Sequence, residues 1–514
     1  MSSTSRRAPV AACILAAGKG TRMRSRLVKV LHPFLGRAMV VHLVDAAFRS
    51  GVDRVVTVVG HQADDVRKEI EVAFPGWSLG FAPQTEQRGT GHALQVALPA
   101  LQGASEVLVI YGDTPLLQAK TLALLLTAHR ESSHVMTIAT FDALDPAGYG
   151  RIVRDADGQV QRIVEHADAT PDERAIREVN AGMCVIRGDI LEGALAGLTT
   201  HNAQGEIYLT DLVARFAAAP VESDARAGVG AFKLADPIEA QGVNTRAQLA
   251  ELEEIALKRM RLTWMDRGVS MQDPGSIRIE SEVDIGEDTL LGPNVQLLGK
   301  TRIGHGCRID AGALLDCCEL GDFVHIKAYS VASHARLATG VEVGPFAHLR
   351  RGTELGERAK VGNFVETKQL RMGPNSKASH LSYLGDCEIG RNVNVGAGTI
   401  TCNYDGVDKH RTVLEDGVFV GSDTQLVAPV RVGKNATIAA GTTVVRDVPE
   451  GALALARSEQ RVIEGYYTRH RKPREERKKA AREAARSGQV AQPVAQAAQT
   501  PVVPPELPPE RKES

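Results

Sequence analysis

The chain has 514 residues, of which 43% are hydrophobic, 4% aromatic and 24% charged, and its formal net charge is −1. This length exceeds the roughly 250 to 300 residues at which a single core stops growing, so we expect more than one domain. The balanced charge provides no global field to attract nucleic acid or an anionic membrane, and no apolar run approaches the ~20 residues that span a bilayer. We therefore expect no nucleic-acid partner and no membrane insertion. The seven cysteines are scattered without a Cys-x-x-Cys pair, which favours a reducing, cytoplasmic location.

Residues 1–243 alternate short apolar runs with helical patterns. The apolar runs predict strands at 10–15, 54–59, 106–110 and 135–140, and the patterns between them predict helices such as 39–49 and 92–101. This alternation is typical of an α/β doubly wound, Rossmann-like domain with a mostly parallel sheet. Such sheets bind ligands outside the carboxyl ends of their strands, so we look for chemistry in the loops that follow the strands.

The segment after the first predicted strand reads Leu15-Ala-Ala-Gly-Lys-Gly-Thr-Arg-Met23. Its glycines let backbone amides approach a ligand closely, and Lys19 and Arg22 supply positive charge for phosphate oxygens. The segment is neither a P-loop nor a dinucleotide fingerprint, because Met23 stands where the third glycine belongs. With Lys29, it resembles the signature of the sugar-phosphate nucleotidyltransferases. The segments 84–92, 111–115 and 242–246 strengthen that resemblance.

The resemblance implies a set of residues that bind UTP and the UDP-sugar product: Leu15, Ala16, Ala17, Gly18, Lys19, Arg22, Lys29, Gln84, Gly89, Thr90, Tyr111, Gly112, Asp113, Gly150, Glu165, Asn180 and Asn244. Asp113 and Asn244 would also hold Mg²⁺, with phosphates and water completing its coordination. Alone, Asp113 could be a turn carboxylate and Glu165 a surface charge, but their joint occurrence in family order favours a site. The implied reaction is in-line attack of a sugar-1-phosphate oxygen on the α-phosphorus of UTP, which requires alignment and charge neutralisation.

Residues 244–268 are rich in Leu, Glu, Lys and Arg and predict one linker helix. From 269 to 458 apolar residues recur every six positions, usually followed by glycine, in three series: Ile285, Leu291, Leu297, Ile303, Ile309 and Leu315; Val343, Leu349, Leu355 and Val361; Val420, Leu426, Val432, Ile438 and Val444. A helix would need apolar residues at three and four positions, and a hairpin would need alternation. The period of six predicts a parallel β-helix whose coils stack on one another.

The hexapeptide pattern is interrupted at 370–388 and 400–416, where polar and aromatic residues cluster. These clusters and the first constellation together resemble a family of bacterial bifunctional enzymes, and the resemblance covers about residues 9–458. Members acetylate glucosamine-1-phosphate from acetyl-CoA and then uridylylate N-acetylglucosamine-1-phosphate from UTP. The resemblance also implies a left-handed β-helix and a homotrimer with acetyltransferase sites between subunits. Nothing in the repeat itself gives handedness.

In this family the position of His380 holds the general base that takes a proton from the glucosamine amine as it attacks the thioester. An imidazole suits this role because it titrates near neutral pH. The resemblance implies that Glu366 orients His380, and that glucosamine-1-phosphate contacts Arg350, Lys368, Tyr383 and Asn394. It implies that acetyl-CoA contacts Ala397, Asn403, Tyr404, Ser422, Ala440 and Arg457.

Residues 459–514 form a charged, Ala- and Pro-rich tail, which we expect to be largely disordered, with a frayed and solvated helix over 469–486. That stretch holds nine Lys or Arg against three Glu, so a weak role with RNA or membrane is the alternative. Two single-function enzymes also remain open. One is a nucleotidyltransferase whose β-helix only assembles oligomers or binds an effector, and the other is an acyltransferase with a degenerate sheet domain. The cluster from His380 to Tyr383 argues against the first, and the intact Lys29 and Asp113 argue against the second.

Overall fold

The structure is a computed structural model that describes residues 9–132, 134–218, 228–457 and 460–486. It forms two compact units, Met1–Ala456 and Arg457–Ser514. The first unit contains an α/β sheet domain, a long helix and a parallel β-helix, as the sequence predicts.

The sheet domain has nine strands within the described residues, in chain order β1 Val10–Leu15, β2 Arg54–Val59, β3 Leu79–Pro83, β4 Glu106–Tyr111, β5 Met136–Asp142, β6 Arg151–Arg154, β7 Val160–Val164, β8 Glu178–Arg187 and β9 Val229–Lys233. Their order in the main sheet is β9-β5-β8-β4-β1-β2-β3. All neighbours are parallel except β8, which runs antiparallel to both β4 and β5. The hairpin of β6 and β7 joins the sheet where Arg151 pairs with Val179.

Helices cover both faces of the sheet. Their bounds are α1 Met39–Arg49, α2 Ala63–Ala73, α3 Thr90–Leu101, α4 Ala119–Glu131, α5 Pro171–Arg174, α6 Gly188–Ala196 and α7 Asp211–Ala217. One buried apolar cluster packs α1, α2 and α4 against the sheet, and a second packs α3, α6 and α7 against the opposite face. The doubly wound prediction is therefore confirmed. A small hairpin of Pro33–Phe34 and Arg37–Ala38 precedes α1.

The linker is the single helix α8, Arg246–Asp266. It begins with a capping box in which the Thr245 hydroxyl accepts from the backbone N–H of Gln248, a motif that satisfies otherwise unpaired donors. The Leu35 N–H donates to the Glu253 carboxylate on α8 (2.9 Å), and the Ser281 N–H of the first coil donates to the Leu35 carbonyl (3.1 Å). The sheet domain, α8 and the β-helix are thus directly bonded to one another.

Short parallel strands stack in three columns to form the β-helix. The first column is Ser270–Met271, Leu290–Leu291, Arg308–Ile309, His325–Ile326, Glu342–Val343, Lys360–Asn363, Lys377–His380, Asn394–Val395, Phe419–Val420, Thr437–Ile438 and Leu453–Ala454. The second is Arg278–Ile279, Gln296–Leu298, Leu314–Asp316, Val331–Ser333, His348–Leu349, Glu366–Met372, Tyr383–Ile389, Ile400–Cys402, Gln425–Val427 and Thr443–Val444. The third contains Asp284–Ile285, Arg302–Ile303, Glu319–Leu320, Arg336–Leu337, Glu354–Leu355, Thr412–Leu414 and Val430–Val432.

The residues of the six-residue series point into the β-helix and are buried in one continuous core. Successive coils are 17 or 18 residues apart, as the partners Ile285, Ile303 and Leu320 show. One coil is longer, because 25 residues separate Val395 from its partner Val420. The extra residues form a small hairpin near 403–411, in which Tyr404 lies opposite Lys409. At the interrupted stretch, the strands Glu366–Met372 and Tyr383–Ile389 continue around the corner into the third column.

The second unit contains a π-helical turn, Tyr467–Arg471, followed by the helix α9, Lys472–Arg486. The expected solvated helix is present, so the tail is not disordered over this stretch. The remaining residues for which we expect disorder, 487–514, lie outside the described part of the chain. No described helix is both long and apolar enough to cross a membrane.

Candidate functional sites

The first cleft opens at the carboxyl ends of the parallel strands. Leu15 at the end of β1 pairs in register with Tyr111 at the end of β4, and the loop after β3 begins at Gln84, whose N–H donates to the Val59 carbonyl (2.8 Å). A cavity of about 260 Å³ lies there, and its lining includes the predicted residues Leu15, Ala16, Ala17, Gly18, Lys29, Gln84, Gly89, Thr90, Tyr111, Gly112 and Asp113. Eleven residues predicted from four separate segments therefore surround one cavity.

Two glycines in this cleft are required by close backbone contacts. A Cβ on Gly112 would lie 2.7 Å from the Leu15 carbonyl oxygen, to which the Gly112 N–H donates (2.9 Å). Gly89 has φ +105, and a Cβ there would lie 2.5 Å from the Ile207 carbonyl oxygen. The loop over the cleft is also tied to the Gly-rich segment, because the Gln87 amide donates to the Ala17 carbonyl (2.7 Å). The cavity walls are thus backbone surfaces fixed by hydrogen bonds.

Lys29, Asp113 and Asn244 meet at one point of the cleft. The Lys29 ammonium lies 2.6 Å from the Asp113 carboxylate and 3.3 Å from the Asn244 amide oxygen, which also accepts from the Arg22 guanidinium (2.8 Å). The Asp113 and Asn244 oxygens therefore converge on a position that a cation fits, and a carboxylate and an amide oxygen are ligands that Mg²⁺ accepts. Lys19 is exposed beside them. Within the described residues, no group of three or more His, Cys, Asp or Glu forms another metal site.

The same cleft continues into a second cavity of about 510 Å³, which shares Thr90, Tyr111 and Asp113 with the first. Its lining includes the residues predicted to hold the sugar, Gly150, Glu165 and Asn180, together with Arg22 and Asn244. Burial raises the pKa of the Glu165 carboxyl, which accepts from the Thr210 hydroxyl (3.0 Å). The two halves together reach the size of ordinary small-molecule sites.

A β-bulge in β8 shapes the junction between the halves. The register between β5 and β8 shifts between Asn180 and Cys184, and Gly182 in the bulge has φ +73. A Cβ at this glycine would lie 2.7 Å from the Tyr111 ring, so the bulge lets the ring pack against bare backbone. Burial also raises the pKa of the Tyr111 hydroxyl.

Arg151 supports the sugar half from below. It is only 1% exposed, its guanidinium donates to the Tyr149 carbonyl, and it lies 3.2 Å from Nδ1 of His166. Tyr149 and His166 directly neighbour Gly150 and Glu165, and burial lowers the pKa of Arg151. A buried arginine without an ion pair among the described residues is costly, so its contacts to both strands of the β6–β7 hairpin indicate a role in fixing their spacing.

The second site lies on the β-helix around His380. Nδ1 of His380 is 2.5 Å from the side-chain oxygen of Asn363, which precedes it by one coil of 17 residues. Because the amide oxygen can only accept, Nδ1 carries the proton and Nε2 keeps its lone pair. His380 is exposed, so Nε2 is accessible to a substrate. This corrects the expectation for Glu366, which instead accepts from Arg350 (2.9 Å).

Cations gather beside His380. The Lys368 ammonium is within hydrogen-bonding reach of Lys409, and this contact lowers the pKa of Lys368. Arg350 also repels Lys368, and Asp386 is the nearby carboxylate that attracts it. Two ammonium groups in contact form a strong attraction for an anion. Tyr383 is the register neighbour of Glu366, and its hydroxyl leaves no space for a side chain at residue 385.

The residues predicted to hold acetyl-CoA form a column. Ala397, Ser422 and Ala440 occupy equivalent positions of three successive coils, because the Asp423 and Gly441 N–H groups donate to the carbonyls of Ala397 and Ser422 (2.7 and 2.8 Å). The Asn403 amide donates to Asp386, and the Tyr404 hydroxyl donates to the Gly406 carbonyl (2.6 Å). Asn394 pairs in register with Lys377 and Phe419. Arg457 belongs to the second unit, so its prediction stays untested.

A larger groove of about 1080 Å³ runs along the third column of the β-helix, and no predicted site residue lines it. Its surface is a ladder of ion pairs in which Arg336 pairs with Glu319 (3.3 Å) and Arg371 with Glu354 (3.4 Å). Charges that already neutralise one another leave little attraction for a ligand. We therefore assign chemistry to the two smaller sites.

Sequence reasoning missed several residues of these sites. Asn363 and Lys409 complete the surroundings of His380 and Lys368, and Gln87, Tyr149 and Arg151 support the first cleft. The coil length gives a signal for Asn363, since residues 17 or 18 apart lie side by side. Lys409 gives no such signal, because its position depends on how the hairpin near 403–411 folds back.

Comparisons with known proteins agree with this architecture. Residues 12–182 match the model of the MobA-like NTP transferase domain, residues 282–317 that of the hexapeptide repeat of succinyl-transferase, and residues 411–446 that of the bacterial transferase hexapeptide with six repeats. A UDP-glucose pyrophosphorylase solved with UDP-glucose covers 49% of the chain with 16% identity and a TM-score of 0.40, which is too remote to support an argument.

Curated relatives match nearly the whole chain. A protein of Pelobacter propionicus called bifunctional protein GlmU is 51% identical over 464 residues, which cover 90% of this chain and 99% of the relative. Proteins of the same name from Geotalea uraniireducens and Geobacter sulfurreducens are 50% and 48% identical, and they cover 89% and 90% of this chain and 98% and 99% of their own lengths.

Proposed function

The chain belongs to the GlmU family of bifunctional proteins, and on this premise we propose that it makes UDP-N-acetylglucosamine in two steps. The β-helix site acetylates glucosamine-1-phosphate from acetyl-CoA. The sheet-domain site then transfers UMP from UTP to N-acetylglucosamine-1-phosphate and releases pyrophosphate. The observation that carries the proposal is that the chain holds two separate clefts, each built from the residues that one of the two reactions requires.

In the sheet domain, Lys29 and Arg22 neutralise phosphate charge while the backbone around Gly18 and Gly112 borders the nucleotide. Gln84 and Thr90 contact the base, and Glu165 and Asn180 orient the sugar so that its phosphate oxygen faces the α-phosphorus. Attack breaks the bond between the α-phosphorus and the bridging oxygen, and pyrophosphate leaves with that oxygen. Alignment and charge neutralisation supply the catalysis, so the site needs no general base.

Mg²⁺ is the cofactor that this site fits. Asp113 and Asn244 would hold it, because their oxygens converge on one cation-sized position. When bound, it supplies charge neutralisation of the triphosphate and of the leaving pyrophosphate.

In the β-helix, His380 acts as the general base. Asn363 holds the proton on Nδ1, so Nε2 accepts a proton from the glucosamine amine as nitrogen attacks the thioester carbon. The tetrahedral intermediate then expels the CoA thiolate, and the amide forms. Lys368 and Arg350 bind the sugar phosphate, and we add Lys409 as a third cation for it. The column of Ala397, Ser422 and Ala440 borders the acetyl-CoA groove.

We propose that three copies assemble through the β-helix. Tyr329, Phe346 and Phe364 stack at one corner of successive coils with ring centroids 5.6 Å apart, and each is about half exposed (59, 49 and 57%). Leu381, the residue after His380, continues this apolar column with 60% exposure. An apolar column of this length on a monomer favours a protein partner. The measurement is molar mass by analytical ultracentrifugation, and a monomer at micromolar concentration would contradict the proposal.

We also propose a cytoplasmic location. All seven cysteines carry free thiols, and four of them, Cys13, Cys184, Cys318 and Cys387, are both buried and far from any pairing geometry imposed by the fold. Unpaired thiols are the state that a reducing cytoplasm maintains.

Two substitutions test the division of labour. His380→Ala should abolish release of CoA thiol with glucosamine-1-phosphate while uridylyl transfer continues. Asp113→Ala should abolish pyrophosphate release from UTP while acetylation continues. Loss of both activities in a folded variant of either kind would refute two independent sites. If His380→Ala left acetylation intact, the alternative of a nucleotidyltransferase with an assembly-only β-helix would be favoured.

A further inference from the structure

The Lys29 ammonium occupies the point where the two oxygens proposed for the metal converge. It lies 2.6 Å from Asp113 and 3.3 Å from Asn244, and only 14% of its side chain and 22% of that of Asp113 are exposed. Arg22 donates to the same Asn244 oxygen at 2.8 Å. Lys29 is held in place from its backbone, since it begins a short helical turn, Lys29–Leu31, whose Val30 is buried in the core of the domain.

A divalent ion on these two oxygens would lie about 2.0 to 2.1 Å from each of them. The Lys29 ammonium at its observed position would then be within contact distance of a doubly charged cation. Because like charges repel strongly at such distances in a partly buried site, the ion and Lys29 cannot use the two oxygens together.

Lys29 has an alternative partner only when a ligand enters. The same cavity that contains Lys29 is lined by Gly18, Gly112 and Asp113, where the proposed triphosphate would lie. Phosphate oxygens form strong charge-assisted hydrogen bonds with an ammonium group, so they can take Lys29 from Asp113. Asp113 is then released for the metal at the moment when the phosphates supply its other ligands.

From this geometry we infer that Lys29 is a positioning residue that couples metal binding to nucleotide binding. In the free protein it competes with the divalent ion, and with nucleotide it moves to the phosphates. Metal and nucleotide must therefore strengthen each other's binding by the same factor. The inference rests on the proposed function, because it takes Asp113 and Asn244 as the metal ligands.

The experiment measures Mn²⁺ binding to the full-length protein by electron paramagnetic resonance, with and without α,β-methylene-UTP. We expect the nucleotide analogue to tighten Mn²⁺ binding to the unaltered protein at least tenfold. Lys29→Met should bind Mn²⁺ at least tenfold more tightly than the unaltered protein when no nucleotide is present, and the nucleotide effect should fall below threefold. Lys29→Gln, which keeps a polar side chain without charge, should behave in the same way.

Lys19→Met is the matched control. Lys19 is an exposed lysine of the same Gly-rich segment, so its removal should leave nucleotide-free Mn²⁺ binding unchanged. If both Lys29 variants bind Mn²⁺ no more tightly than the unaltered protein, the inference is wrong. Asp113→Ala separates this result from failure of the proposed function, because Mn²⁺ binding that survives Asp113→Ala would mean that the metal site itself lies elsewhere. CoA release by the β-helix site reports that each variant is folded.

Discussion

Replacing Asn363 with alanine removes the acceptor that holds the proton on Nδ1 of His380. As the amine attacks the thioester, His380 becomes an imidazolium, so the hydrogen bond from Nδ1 strengthens in the transition state. Hydrogen bonds to charged groups contribute about 1.5 to 3 kcal/mol. His380 is exposed and Asn363 half-buried, so water competes for this contact and we take the lower value. About 1.5 kcal/mol corresponds to a roughly tenfold lower kcat, since each 1.36 kcal/mol is a factor of ten.

The assay follows CoA thiol release at saturating glucosamine-1-phosphate and acetyl-CoA. Uridylyl transfer, measured on the same preparation, should be unchanged, because Asn363 is remote from the sheet-domain cleft. Gln296→Ala is the control, since Gln296 is an exposed amide on a distant coil. A kcat for Asn363→Ala within twofold of the unaltered protein would mean that the His380 orientation does not depend on this bond, and the tautomer assignment would be refuted.

Three further changes test other parts of the structure. Leu349→Ala deletes a fully buried side chain of the β-helix core and should lower the free energy of unfolding by about 2 to 5 kcal/mol, measured by urea denaturation; a loss below 1 kcal/mol would contradict the packed core. Burial raises the pKa of Glu165, so the folded protein resists ionising it and loses stability as pH rises above the ordinary carboxyl pKa. Glu165→Gln should therefore raise Tm at pH 8, with the difference vanishing below the ordinary pKa; an equal difference at all pH values would exclude the linkage. Arg151→Met should raise KM for the sugar phosphate about tenfold without changing KM for UTP, whereas Arg154→Met, on the same strand but exposed in an ion pair with Glu178, should change neither. Equal effects of the two arginine variants would remove the special role of Arg151.

The β-helix was predictable because its period is a direct property of its geometry. Each six-residue step places one apolar side chain inside, and the members of the series, from Ile285 to Val444, are buried as expected. The period does not reveal coil length, which alternates between 17 and 18 residues and reaches 25 at one coil. That length decides which side chains become neighbours, so the contact between Asn363 and His380 required coordinates.

The sheet domain shows a different limit. The apolar runs located β1 and β2 at their observed bounds, since buried parallel strands are continuously apolar. A run carries no direction, however, so the antiparallel course of β8 and its bulge at Gly182 could not be foreseen. Lys29 and Asp113 were assigned separately to phosphate and to metal, and only the folded chain shows that they bond to each other.

The stacking of the β-helix has a consequence for how its chemistry can change. Each coil rests only on the coils before and after it, so its stability is close to a sum of nearest-neighbour contributions. The hairpin near 403–411 enlarges one coil while the coils on either side keep their register. Substrate preference can therefore be rewritten by lengthening or exchanging a single rung, while the rest of the scaffold is inherited intact.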